Sequence, residues 1–415
     1  MNKEQFLQDL AIRLSGLSEN NLRLVLDFYS ELISDRMEDG LSETEAVAAL
    51  GDPAKIAEEV LSDLPVSPSE APVWEQKTLA EHNSRYSEKI VSIEIDAVDM
   101  SVAVRPGTLS GPETAQVEFD NVDIPDSVSC TLSDGVLRIK RRKIEKNFRG
   151  ILHAMMDSFK TMFADSVTCT VILSDPEIGN LSFRSASGDL SVSGLVLSHG
   201  INASVASGDL SLSSIHVQGS CSLHTASGDI DLTDSHIFGN CELLSASGDQ
   251  DLKNTHVDGN LNINAASGDI ELVDVATGSY LCVNTASGDQ DLAKLSVGEQ
   301  LKLNAASGDI TIHGAKGGSL TLNTASGDIE VHSAQLAGPA AVTSASGDVR
   351  LRDFSGDKIN LYSHSGDISA RLTNIPGGYD FRVRSRSGDI RYPNDRGQHL
   401  VEARTISGDI NISVE

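Results

Sequence analysis

Aromatic side chains are scarce in this 415-residue chain: they form 4% of it, with a single Trp. That excludes a surface of sugar-stacking platforms or aromatic hot spots. Cations are scarce as well. Lys and Arg together number 32 against 60 Asp and Glu, a formal net charge of −28. Nucleic acid is excluded as a partner, because sequence-independent binding needs surplus cations to displace phosphate counterions. Cysteine is sparse and odd in number: Cys130, Cys169, Cys221, Cys241 and Cys282. No two stand as C-x-x-C, which removes the common zinc and dithiol motifs. Apolar runs are short. The opening MNKEQFLQDLAIRLSGL is broken by charges every few residues, unlike a secretory leader. Nothing nears the ~18 apolar residues of a bilayer span. Reduced thiols and a cytoplasmic location, at most peripheral at the inner face of a membrane, are the expectation.

Glycine, by contrast, is abundant: 35 residues against 11 prolines, which suits many tight turns. The length allows two or three domains at roughly 150 residues each. Residues 1–64 have helical spacing, with Phe6, Leu7, Leu10 and Leu14 on one face and Leu22, Val25, Leu26, Tyr29, Leu32 and Ile33 on the next. Ser42-Glu43-Thr44-Glu45 is a capping-box sequence. Gly51-Asp52-Pro53 then ends one helix and starts another, with Ile56, Ala57, Val60 and Leu61 as its apolar face. Residues 65–90 carry three prolines and mixed charge, a linker composition. From Val91 the period changes to two, and residues 91–139 read as short strands between turns.

Twelve copies of Ser-Gly-Asp then follow at near-regular spacing. Their glycines are Gly188, Gly208, Gly228, Gly248, Gly268, Gly288, Gly308, Gly327, Gly347, Gly366, Gly388 and Gly408. The intervals are 20 six times, then 19, 20, 19, 22 and 20. A fixed period of this size means a solenoid. Within Leu261–Leu272, apolar residues alternate up to the turn and resume after it. A weaker turn near Gly278 gives each unit two strands and two turns. Such a unit buries its apolar side only by stacking on its neighbours, about 4.8 Å apart. Leu223, Leu243, Ile263, Val283 and Leu303 form one inward ladder, and Ile230, Ile270 and Ile310 a second that Gln250 and Gln290 interrupt. The predicted fold is mainly β: a parallel β-solenoid of about twelve ~20-residue coils over 181–415. A small all-α domain and a β-rich lead-in at 91–180 precede it.

The stretch SETEAVAALGDPAKIAEEV resembles the HAAS-type helical domain of bacterial signalling-associated proteins. That resemblance implies a module that binds a protein partner. The Ser-Gly-Asp region, over about residues 90–415, resembles a bacterial SGD β-repeat family labelled "adhesin", a domain of unknown function. Together the two imply an interaction protein of the signalling or envelope-stress type, with an adhesin-like surface or structural protein as the alternative and a carbohydrate-active β-helix enzyme as a third reading.

Three features are candidates for function. The first is the turn carboxylates: Asp189, Asp209, Asp229, Asp249, Asp269, Asp289 and Asp309, with later copies to Asp409. Charges at this spacing repel by about 0.9 kcal/mol in water. Amide hydrogen bonds from each turn are expected to offset the repulsion. Weak divalent-cation binding is the sharper alternative, although one carboxylate row supplies few of the oxygens calcium wants. The acids are equivalent and no aromatic platform accompanies them, so no catalytic residue, dedicated metal site or cofactor is expected. His216, His236 and His256 form another 20-residue row, read as a solvated face.

The second candidate is a basic run, Arg138 to Arg149, that includes Arg141, Arg142 and Lys143. It leads into an amphipathic helix at about 144–164, with Phe148, Ile151, Leu152, Met155, Phe159, Met162 and Phe163 on one face. It fits either a cap over the first coil or contact with an anionic membrane or a partner. The third is charge asymmetry. Residues 181–344 hold 5 basic and 18 acidic side chains, whereas 345–415 hold 10 of each. Arg382, Arg384 and Arg386 share one face, and Val414-Glu415 ends without an evident cap, which suits weak end-to-end self-association.

Overall fold

The computed structural model describes residues 2–15, 42–57, 84–122, 127–142 and 167–415, with positions 22, 25–26, 29–30, 33 and 36–37. These residues fall into two units.

The N-terminal unit is helical. The Asn2 side chain accepts from the Gln5 N–H at 2.8 Å, and the Gln5 side chain accepts from the Asn2 N–H, opening helix α1 (Lys3–Arg13). Helix α2 (Glu43–Ala48) begins at the expected capping box: the Glu45 carboxylate accepts the Ser42 N–H at 3.0 Å and its hydroxyl proton. Those bonds, the hydroxyl first, hold Glu45 below the usual carboxylate range. Gly51 takes a left-handed φ of 96°, and Asp52 accepts the Ala54 N–H to start a further helical turn at 53–57. Phe6, Leu10, Leu14, Val25, Tyr29, Ile33, Val47 and Ile56 close one core, as the apolar spacing requires.

In the second unit, thirty strands join one sheet among the described residues. Coils stack in parallel register, so Leu223, Leu243, Ile263, Val283 and Leu303 are successive Cα partners. Most coils have the expected two strands, for example Gln250–Val257 with Leu261–Ser267, while two coils break the first into two, as in Leu210–Ser213, His216–Val217 and Ser220–Ser227. The extra corner is a single left-handed residue: Ser214, Asp234, Asn254, Asp274 and Lys294 all have φ between 49° and 58°. Asp and Asn side chains tolerate that region by bonding locally, so a turn forms at Asp234, Asn254 and Asp274 without glycine.

Gln250 and Gln290 are fully buried in the second inward ladder, between Ile230, Ile270 and Ile310. Each donates across the core, to the carbonyls of Asn264 at 2.9 Å and Asn304 at 2.8 Å. Their Oε1 atoms accept nothing. A buried unpaired acceptor costs about 1–3 kcal/mol, more than one such bond returns. Gln290 also donates to Thr285 Oγ1 at 2.9 Å, so Gln250 is the residue with a single bond. Gln250→Ile is therefore expected to leave stability unchanged or raise it by about 1 kcal/mol. A fall of the melting temperature in that variant would show that the cross-core bond is needed.

The first coil is closed by antiparallel strands. Ser92–Pro106 pairs in parallel with Glu177–Ser187 on its coil side. Beyond it, Val128–Ser133 lies antiparallel on Val136–Arg141, and Ala115–Asp120 antiparallel on Val167–Leu173. The helix expected at about 144–164 lies outside the described residues.

At the other end the stacking order departs from the chain order. Strand Lys358–Ser365 pairs with His399–Ser407, and that strand in turn pairs with Tyr379–Ser387. The last coil in sequence is thus the penultimate coil in space. Ile410 and Ile412 are buried, and the Glu415 N–H donates to the Leu372 carbonyl while its own carbonyl accepts the Asn374 N–H, so this strand is pinned to Ile368–Leu372. The long interval from Gly366 to Gly388 supplies chain for the exchange. His399 pins it: Nδ1 meets Asp357 Oδ1 at 2.8 Å and Nε2 meets the Pro376 carbonyl at 3.1 Å. Two acceptors on one ring require the imidazolium, and the Asp357 bond, acting against slight burial, raises the His399 pKa. Asp357 belongs to a thirteenth Ser-Gly-Asp, Ser355–Asp357, that falls outside the period.

Candidate functional site

The rod's chemistry is arranged in rows, because parallel register places equivalent residues of successive coils side by side. Ser-Gly-Asp makes the most regular row. The Asp209 N–H donates to Asp189 Oδ1 at 3.0 Å, Asp229 to Asp209 at 2.9 Å, Asp249 to Asp229 at 2.8 Å and Asp269 to Asp249 at 2.8 Å. Asp289, Asp309 and Asp328 repeat the bond at 2.8, 2.8 and 2.7 Å. The ladder follows the exchanged order at the end, with Asp409 donating to Asp367 and Asp389 to Asp409, both at 2.8 Å. At its start the Asp189 N–H donates to Ser101 Oγ. Amides do offset the carboxylate repulsion, but each comes from the next coil's Asp and not from the same turn.

A second acidic row lies two residues beyond the first: Asp231, Asp251, Glu271 and Asp291 are Cα partners. Burial first, then the Asp251 charge, pushes Asp231 above its usual range. Further along the same row, past Thr311 and Glu330, stands a cation, Arg350, which bonds Asp328 at 2.7 Å and also Asp348. Burial raises the Asp328 pKa, but the Arg350 bond and the Asp348 N–H outweigh it and leave that carboxyl lowered.

Histidine forms the third row. His216, His236 and His256 are register partners. Asp258, two residues beyond His256, accepts from both of the later rings: its Oδ1 lies 3.0 Å from His236 Nε2 and 2.8 Å from His256 Nε2. Phe238 stacks on His236 with centroids 4.0 Å apart. The His236 bond first, against slight burial, keeps Asp258 below the ordinary carboxylate range. The three donor atoms lie within 4.8 Å of one another. The row is solvent-exposed, as expected, and Asp258, at an interval of two from His256, adds a cluster to it.

Asn264, Asn284, Asn304 and Asn323 build an amide ladder at 2.7–2.9 Å on another face. It borders a groove of about 450 Å³ floored by Ala246, Ala266 and Ala286. The groove is open and nearly uniform, unlike the enclosed apolar clefts that hold small molecules. Cys221 and Cys241 are register partners, buried and unbridged. The adjoining Cys221 thiol and then burial push the Cys241 pKa up, which keeps it the inert thiol.

Part of the basic run is taken up by the fold. Arg138 pairs with Glu94 at 2.9 Å, and Arg141, 9% exposed, pairs with Asp99 at 2.7 Å. Arg142 is exposed. Lys143, Phe148, Ile151, Leu152, Met155, Phe159, Met162 and Phe163 lie outside the described residues. Arg382, Arg384 and Arg386 are exposed on Tyr379–Ser387, the outermost strand of the rod, where charge discourages pairing with a further strand.

A family model described as Toastrack DUF4097 matches residues 90–296 and 279–415. A second, HAAS, matches residues 5–59. The first covers the lead-in strands as well as the Ser-Gly-Asp coils, and the second the capped N-terminal helices; the "adhesin" label has no counterpart in either match. No curated protein matches the chain.

Proposed function

We propose that this chain, which belongs to the Toastrack DUF4097 family, works as a non-catalytic scaffold whose rod presents a long surface and whose HAAS-like unit recruits a protein partner. The observation that carries the reading is the Asp row. Each carboxylate from Asp189 to Asp309 accepts the N–H of the next coil's Asp, in one repeated setting. An acid–base pair needs two carboxyls in different environments, which this row does not offer. The recruiting surface is placed on the helical unit, where Ile12 is 67% exposed and Met37 is exposed as well. A signalling or envelope-stress setting inside the cell suits this division of labour. No helix among the described residues is long and apolar enough to cross a membrane. Peripheral contact with anionic lipid is assigned to the segment from Arg142 to Phe163, and weak self-association to the arginine-bearing end.

The experiment is in-cell photo-crosslinking of the full chain, with the photoreactive side chain at position 12 and, separately, at exposed Tyr280 on the rod. A discrete protein adduct from position 12 is the expected result. Recovery in washed cell-wall fractions with no such adduct would favour the adhesin-like role. Polysaccharide cleavage abolished by a single Asp substitution would overturn the non-catalytic reading.

A further inference from the structure

The histidine row does something the repeat does not require. Inward ladders and the Asp row stabilise coils, and they recur throughout the rod. Among the described residues the His236, His256 and Asp258 cluster occurs at one place, and the equivalents in the next coil are Ala276, partner of His256, and Gly278. Two imidazole nitrogens converge there on one carboxylate oxygen, at 3.0 and 2.8 Å. Phe238 holds the His236 ring from its face. The small side chains of the next coil leave the far side of His256 open. Lys253, the nearest cation in sequence, is occupied by Asp251 and Glu271 at 3.3 and 3.0 Å.

We propose that His236, His256 and Asp258 form a zinc-binding site on the wall of the rod, with the remaining position left to water or an incoming ligand. Two nitrogens and one oxygen are a donor set that suits zinc better than calcium or magnesium, which want oxygens alone. The geometry is close to what the ion needs. Ligands at ~2.0–2.2 Å around a tetrahedral zinc stand about 3.4 Å from one another. The two N···O separations, 3.0 and 2.8 Å, therefore open by only about half an ångström when the ion replaces the shared protons. The two nitrogens, within 4.8 Å of one another, take up the same separation.

The test is calorimetric titration of the tag-free full chain with zinc at neutral pH, repeated with cobalt to read the visible absorption of the bound ion. One ion per chain is expected. His256→Gln and Asp258→Asn should each weaken binding at least about tenfold. His313→Gln should leave it unchanged; that residue stacks on His332 elsewhere on the rod and serves as the control. Unchanged melting curves for the first two variants separate lost ligation from lost fold, as expected for side chains that are partly exposed. Absence of saturable zinc binding, or equal affinity in wild type and both variants, would overturn the assignment. A cobalt spectrum of octahedral type would do so too, since it would place the ion on oxygens and water.

Discussion

Gly268→Ala is expected to disrupt its coil and lower stability by about 3 kcal/mol or more. The φ of Gly268 is +139°, a region that side chains rarely enter, and a Cβ there would sit 2.2 Å from the Gly248 carbonyl oxygen. Strain and collision come together. Relief by a shift of the turn would break the bond from the Gly268 N–H to the Ser287 carbonyl and the Asp269 bond to Asp249. A solenoid is held by nearest-neighbour contacts, so the damage concentrates at one place and divides the rod into two halves. Thermal unfolding should shift downward and split, and limited proteolysis should cut near residue 268. Ala266→Ser, on the exposed side of the same turn, should leave both readouts unchanged. A single unshifted transition for the glycine variant would mean that the turn can rebuild itself, against the conformation described.

Deleting residues 399–415 is expected to unfold more chain than it removes. In a stack that follows chain order, trimming the last coil would leave the preceding one paired on one side. Here Tyr379–Ser387 and Ile390–Arg391 pair with His399–Ser407 and Ile410–Val414. Taking those strands away leaves the outermost coil without a neighbour, and the His399 bonds to Asp357 and Pro376 go with them. Hydrogen exchange should show amides of 379–391 losing protection, with those of 358–372 that bond the deleted strands, while the coils before Lys358 keep theirs. The newly bared edge carries Ile359, Leu361 and Ile368, all buried in the intact chain, so the truncated protein should also associate. Retained protection at 379–391 would contradict the exchanged order.

Much of this was legible in the sequence for a plain reason: register and period are the same quantity in a parallel solenoid. A 20-residue interval places Leu243 on Leu223 and Asp229 on Asp209 without further information. The capped helices were legible because Ser42, Glu45, Asp52 and Pro53 act within a few residues of one another. What escaped was of three kinds. The left-handed corner escaped because Ser214, Asp234, Asn254 and Lys294 share a conformation and not a residue type. The terminal exchange escaped because strand order beyond Gly366 depends on which coil covers Ile359 and Ile368, and both candidates carry the same motif. The histidine cluster escaped because Asp258 belongs to a neighbouring row and reaches His236 only across coils. Diagonal contacts of that sort are invisible to a reading that follows one row at a time.

The most direct test of the account's centre, that the turn carboxylates are architecture, is a comparison of Asp269→Asn with Asp269→Ala by thermal unfolding with and without added calcium. Asp269 Oδ1 accepts the Asp289 N–H at 2.8 Å. Asn keeps an acceptor oxygen at that place and removes a charge that its neighbours repel, so its stability should equal or exceed that of wild type. Ala strands the Asp289 amide and should cost about 1–3 kcal/mol. Calcium should move none of the three melting curves. If Asn instead loses as much as Ala, and calcium stabilises wild type alone, the negative charge itself is the working feature and the row is a cation ladder.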